Sequence, residues 1–367
     1  MAGWSDVADY LQDRGDSLNP QSMAAHGWVS GHTRRIDVVI ASLDKGMLHR
    51  WYPDPAAGGG WHPRWERRGG TYASRAAVTN SRADTLMAFA LSTEGNLILS
   101  GVFGGDLNAL AAAAGPWPTE DLGHPAEDRL VSHPTAVTDG DTIRAYVRGE
   151  SGNIVSIAVD HNGNVTAPWH RASTDTLPRT GGHHWTYAPA AASWAPGRID
   201  LFSIEQGTEA TSYDNTLWHA WHDGSAQGPR WEELGIGGMS SSPDAAVWPL
   251  TDDHPLGVIH MVACGSIEDL QGPSYAFASW LGRHWAYRWL HPPGATFDGT
   301  IASWGRPRLD LFYIKDTFTK NHNGTERYLT GHAWYDGRRW GPERAWSFDD
   351  SDFESTYPVA PWNGQPL

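Results

Sequence analysis

At 367 residues the chain can bury a large core, in one all-β domain or two smaller ones. Its 27 Lys and Arg against 42 Asp and Glu give a net charge of −15, an acidic surface that repels phosphate backbones and argues against a nucleic-acid partner. The single cysteine, Cys264, excludes an internal disulfide, and no run approaches the roughly 18 apolar residues of a membrane helix, so no membrane partner is expected.

Residues 1–21 are a polar lead-in without the apolar core of a signal peptide, expected to stand outside the domain formed by 22–367. A repeat starts at residue 22. Each copy opens on a small-residue strand ending in Trp or Thr, then a turn, then a strand that in its clearest form reads Arg-apolar-Asp. The first copy joins 22–28 to Arg35-Ile36-Asp37 and a third strand at 47–51. Degenerate copies follow at 74–79 with 85–89 and 96–102, and at 132–138 with 142–147 and 153–159. The fourth is the clearest: SWAPGRIDLF (193–202), LWHAWHDG (217–224) and WEELG (231–235). Its β-branched and aromatic runs are strands, and Pro196-Gly197 and Asp223-Gly224 are hairpin turns. The fifth and sixth copies open at 242–248 and 299–304, and a further opening strand falls at 355–362.

The ends of the opening strands lie at positions 28, 79, 138, 194, 248, 304 and 362. Six periods plus one surplus strand is the pattern of a closed ring. The expected fold is all-β: a six-bladed β-propeller of four-stranded antiparallel blades, with 355–362 closing the ring by joining a blade begun at the N-terminus. Seven blades is the alternative, should the lead-in hold another strand. Twenty-one Trp in one chain then mark repeated packing positions between sheets.

The quoted motifs of copies one, four and six resemble the repeats of propeller lectins, the fucose-specific lectins of fungi and the related Photorhabdus-type lectins. The resemblance implies the fold, and it implies sugar binding in pockets between blades that use Arg, acidic and aromatic side chains. Arg35, Arg198 and Arg308 recur here with Asp37, Asp200 and Asp310, but no polar trio recurs in all six copies. Their R-x-D spacing puts both side chains on one strand face, as a structural ion pair needs.

Function then divides between a carbohydrate-binding, lectin-like propeller and a single-pocket enzyme of the cyclase or pericyclase type found on similar fungal propellers. No nucleophile elbow, zinc-protease helix, phosphate loop or cysteine pair is present, so no cofactor and no metal is expected. Asp160-His-Asn162-Gly-Asn164 slightly resembles a calcium loop, but a hairpin turn between third and fourth strands explains it without an ion, and the one Asp-box-like stretch, Ser42-Leu-Asp44-Lys-Gly46, occupies the wrong turn for a sialidase. Long second-to-third-strand connections in copies four to six, 203–216, 264–274 and 314–327, suggest one pocket above the channel. The upper ends of the first strands ring its mouth. Arg75, His133, Trp185, Tyr187, Asp298 and Tyr357 are the candidate ligand-binding residues. His183, His184 and Tyr187 are the acid–base candidates if the protein is an enzyme. The expected partner is a carbohydrate or other small molecule.

Overall fold

Short runs of β-branched, aromatic and small residues, closed by turns, form 24 strands among the described residues and no helix. The computed structural model describes residues 23–30, 33–42, 46–52, 66–81, 85–102, 115–172, 185–205, 215–222, 230–248, 258–265, 274–280, 285–290, 299–303, 305, 308–320, 326–335 and 344–345. Each of six antiparallel sheets takes four strands from consecutive sequence. Blade one holds β1 (Met23–Ser30), β2 (Thr33–Ser42), β3 (Gly46–Tyr52) and β4 (Glu66–Gly69). Blade two holds β5 (Ala77–Thr79), β6 (Leu86–Leu91), β7 (Leu97–Val102) and β8 (Thr119–Asp121). Blade three holds β9 (Thr135–Asp139), β10 (Thr142–Arg148), β11 (Ile154–Asp160) and β12 (Val165–Arg171). Blade four holds β13 (Ala190–Ala195), β14 (Arg198–Glu205), β15 (Thr216–His222) and β16 (Arg230–Glu233). Blade five holds β17 (Asp244–Trp248), β18 (Val258–Gly265), β19 (Ser274–Trp280) and β20 (Trp285–Leu290). Blade six holds β21 (Thr300–Ala302), β22 (Leu309–Lys320), β23 (Glu326–Tyr335) and β24 (Arg344–Ala345). The protein is a six-bladed β-propeller.

The core is a set of six layers, one in each gap between blades. A middle strand is therefore covered on both faces, which is why Leu86–Leu91 is buried throughout and reads as an unbroken apolar run. Each blade buries its faces only against its two neighbours, so no blade holds a complete core of its own. The first strands stand side by side around the axis, and small residues such as Ala24, Ala76, Ala191 and Ala245 let them approach.

A hydrogen bond crosses each junction near the axis. His26 meets Asn80 at 2.6 Å, Thr79 meets Thr138 at 3.1 Å, and Gly197 donates its N–H to Asp139 at 2.5 Å. Ala188 N–H donates to Ser242 at 3.2 Å, Ile301 N–H to Asp244 at 3.1 Å, and Ala25 N–H to Thr300 at 3.2 Å. The last of these joins blade six to blade one. Met23, Val38, Ala302 and Phe312 pack in the same gap. Among the described residues blades one and six hold four consecutive strands each, and side-chain packing and this bond join them. The expected closing strand, 355–362, lies outside the described residues, as does the lead-in.

One expected loop is strand instead. Residues 314–320 continue β22 and 326–327 belong to β23, pairing Ile314 with Thr330 and Lys320 with Glu326, with a register shift between Asp316 and Lys320. The turn at Asp160 is a hairpin whose carboxylate accepts the N–H groups of Asn162 and Asn164, which accounts for the motif without an ion.

Candidate functional site

The first strands enclose an axial cavity of about 260 Å³. A salt bridge crosses its upper end: Arg75 Nη2 of blade two reaches Asp244 Oδ2 of blade five, directly opposite, at 3.0 Å. Lower down, burial lowers the pKa of His26, against the hydrogen bond it donates to Asn80 Oδ1 and the charge of Asp37.

Above the bridge a second cavity, about 530 Å³, opens over blades two and three and the entry to blade four. Arg75, Arg129, His133, Arg148, Tyr187 and Ser242 line it, with the short connection after β6. A serine device fixes this rim. Ser74 and Ser132 each donate to the carbonyl of the next residue, and each accepts the N–H of the residue ending strand two, Leu91 or Arg148. Blade five repeats it with Ser241 and Cys264. The arginine and histidine after these serines are thereby held at the mouth. Burial, then the charges of Arg75 and Arg148, push the His133 pKa well below the ordinary histidine value, so this imidazole is neutral.

The structure thus brings three candidate residues, Arg75, His133 and Tyr187, to one cavity. Trp185 is not with them: it is 3% exposed, pairs with Glu205 and packs on Trp231 at 4.5 Å. An aromatic residue in a connection looked like a ligand platform, but a gap between blades needed filling. Asp298, Tyr357, His183 and His184 lie outside the described residues. Among the described residues the cavity is lined from blades two and three and from the entry to blade four, and the middles of the longer connections of blades four to six lie outside the described residues. Arg129 and Arg148 were not anticipated, although Arg148 ends a second strand at the level where His133 begins a first one.

The R-x-D motif is structural, as its spacing suggested. Asp37, fully buried, accepts Trp28 Nε1 at 2.8 Å, Arg35 Nη2 at 2.6 Å and His49 Nε2 at 2.8 Å. Asp200 accepts Trp194 Nε1, Arg198 Nη2 and His219 Nε2 at 3.1, 2.6 and 2.9 Å. Asp310 accepts Arg308 Nη2 and His332 Nε2 at 2.7 and 2.8 Å. The register sets each aspartate opposite a tryptophan, Trp51, Trp221 or Trp334, on which the arginine stacks at 5.1 to 5.4 Å. The overlooked signal is H-x-W on strand three, His49 to Trp51, His219 to Trp221 and His332 to Trp334, found in the three blades that carry R-x-D. Although burial opposes it, these partners hold all three carboxyls below the usual aspartate range.

Blade four extends its network outward. His219 Nδ1 donates to Glu232 at 2.8 Å, and Glu232 also accepts Trp285 Nε1 of blade five at 3.3 Å. Glu232 is 42% exposed, and the half-buried Trp280 and Trp285 rings lie 5.6 Å apart beside it. A carboxylate and two indoles thus face one gap between blades. Among the described residues no group of His, Cys, Asp and Glu is placed to hold a metal ion.

Comparisons with solved structures agree with this architecture. The fucose-binding six-bladed propeller lectin of Aleuria aurantia aligns over 90% of this chain and 96% of its own, at 15% identity and TM-score 0.57. The lectin BP39L of Burkholderia pseudomallei aligns over 89% and 84%, at 14% identity and TM-score 0.52. AofleA of Arthrobotrys oligospora aligns over 90% and 87%, at 12% identity and TM-score 0.55. The shared property is the fold. No protein-family model and no curated protein sequence matches the chain.

Proposed function

We propose that this protein is a carbohydrate-binding, lectin-like propeller. The supporting observation is the gap between blades four and five, where Glu232 stands beside Trp280 and Trp285. Indole faces accept the C–H face of a pyranose, and an exposed carboxylate accepts its hydroxyl protons. The Aleuria aurantia lectin has been solved with α-methyl-L-fucoside, so a fucoside is the first ligand to test. The cyclase alternative draws no support from the comparisons.

Blades two and three carry no matching acid–indole pair among the described residues, so binding sites should number fewer than six per chain. Glycan-array screening followed by calorimetry tests this. A neutral glycan should bind, and Trp285→Ala and Glu232→Gln should each weaken it about tenfold. Binding to no glycan, or full affinity in both variants, would overturn the reading.

A further inference from the structure

The rim cavity over blades two and three differs in chemistry from that gap. In a chain of net charge −15, three guanidinium groups, of Arg75, Arg129 and Arg148, line it, and among the described residues no acidic one does. Two acids of the adjoining turns are engaged elsewhere. Asp128 accepts the N–H of Ser151 at 2.9 Å and its hydroxyl, and Glu94 accepts the Thr93 hydroxyl at 2.9 Å. Arg75 spends one nitrogen on Asp244, which lines the axial cavity beneath and not this one. Arg148 Nε is buried with no hydrogen-bond partner.

Leaving a guanidinium partly buried without a counter-charge is costly, and its donors then face the space where an acceptor fits. His133 and Tyr187 add neutral hydrogen-bonding groups to the same wall. Burial alone lowers the Arg148 pKa, and no carboxylate acts to raise it.

We infer that this cavity is an anion site: it binds an oxyanion group, carboxylate, sulfate or phosphate, held by Arg148, Arg129 and the free donors of Arg75, with His133 and Tyr187 beside it. Planar guanidinium forks match such groups in a bidentate way that a neutral sugar does not offer. This site stands apart from the gap proposed for neutral sugars, and either can exist without the other.

Calorimetric titration at low ionic strength with inorganic sulfate, inorganic phosphate, galacturonate and, as neutral control, galactose tests the assignment. Saturable binding of at least one anion is expected, weakening as sodium chloride is added. Arg148→Gln and the exposed Arg129→Gln should each weaken it roughly ten- to hundredfold without lowering the melting temperature. Trp285→Ala should leave it unchanged. Binding of the inorganic ions alone marks a free oxyanion as the ligand, and binding of galacturonate marks a carboxylate-bearing sugar. No saturable binding of any of the three anions, or undiminished binding in both arginine variants, overturns the assignment.

Discussion

Blades one, four and six hold a charged residue set inside the sheet, whereas blades two and three do not. In the first group an aspartate on strand two gathers an arginine two residues before it and a histidine from strand three. In the second, strand two reads Leu86–Leu91 or Thr142–Arg148, with no acid, and the gap between the two blades is filled by Phe89, Leu99, Ile143 and Val155. Blade five is intermediate, with His260 hydrogen-bonded to Ser279 at 2.8 Å. The same four-stranded frame is thus stabilised in two ways, by a satisfied polar network or by apolar filling. The difference reaches the upper face as well: without an aspartate beside them, Arg75 and Arg148 turn to the cavity or across the axis.

The largest expected effect comes from breaking one network at its centre. Asp37→Ala leaves Arg35 and His49 buried without their acceptor and should cost about 3 to 5 kcal/mol in urea unfolding. Replacing Arg35 and Asp37 together by Leu should cost less, because no unpaired charge remains. If the double variant proved the weaker of the two, the polar blades would depend on the charges themselves.

A smaller effect separates blade one from blade four by pH. Burial, with the charges of Arg35 and Arg68, outweighs the pull of Asp37 and holds His49 at about 4. His219 is equally enclosed, but two acids, Asp200 and Glu232, overcome burial and raise it. The unfolded chain takes up a proton near pH 6.5 at both positions. Below that pH the unfolded state binds more protons than folded His49 does, so blade one loses stability as pH falls from about 6.5 toward 4, by about 2 to 3 kcal/mol in all. For His219 the folded state binds more, so its contribution is complete below about pH 6.5 and is lost as pH rises through the raised value. Stability profiles of His49→Gln and His219→Gln should therefore flatten on opposite sides of pH 6.5. Parallel profiles would remove the distinction.

The smallest effect should be the same in both kinds of blade. Gly197 of blade four and Gly140 of blade three take φ of 79° and 62° in the first hairpin, with open space where a Cβ would go. Replacing either by Ala should cost about 1 kcal/mol in thermal unfolding, from backbone strain alone. Unequal costs would mean that the turn senses the chemistry of the sheet.

This division explains what the sequence reveals. The repeat is easiest to see where R-x-D punctuates it, and this is a signal of the polar blades. Blades two and three show through spacing and apolar runs. Three outer strands, Thr119–Asp121, Val165–Arg171 and Trp285–Leu290, went unrecognised; the first is exposed throughout and the second nearly so, which leaves no apolar alternation to read. Arg75, His133 and Tyr187 were legible because each stands where a first strand begins. Arg129 and Arg148 join them only through the approach of two blades, and Trp185 is claimed by packing from the opposite side. Such convergence depends on the ring and has no local signature.

The junction of blade six with blade one has its own apolar layer and its own bond near the axis, Ala25 to Thr300, like the other five. Among the described residues the ring therefore has no architectural beginning. A circular permutant linked from β24 to β1 and opened between β8 and β9 keeps every sheet's strands in their present order. The succession in which a ribosome delivers the blades is thus separable from the object they assemble.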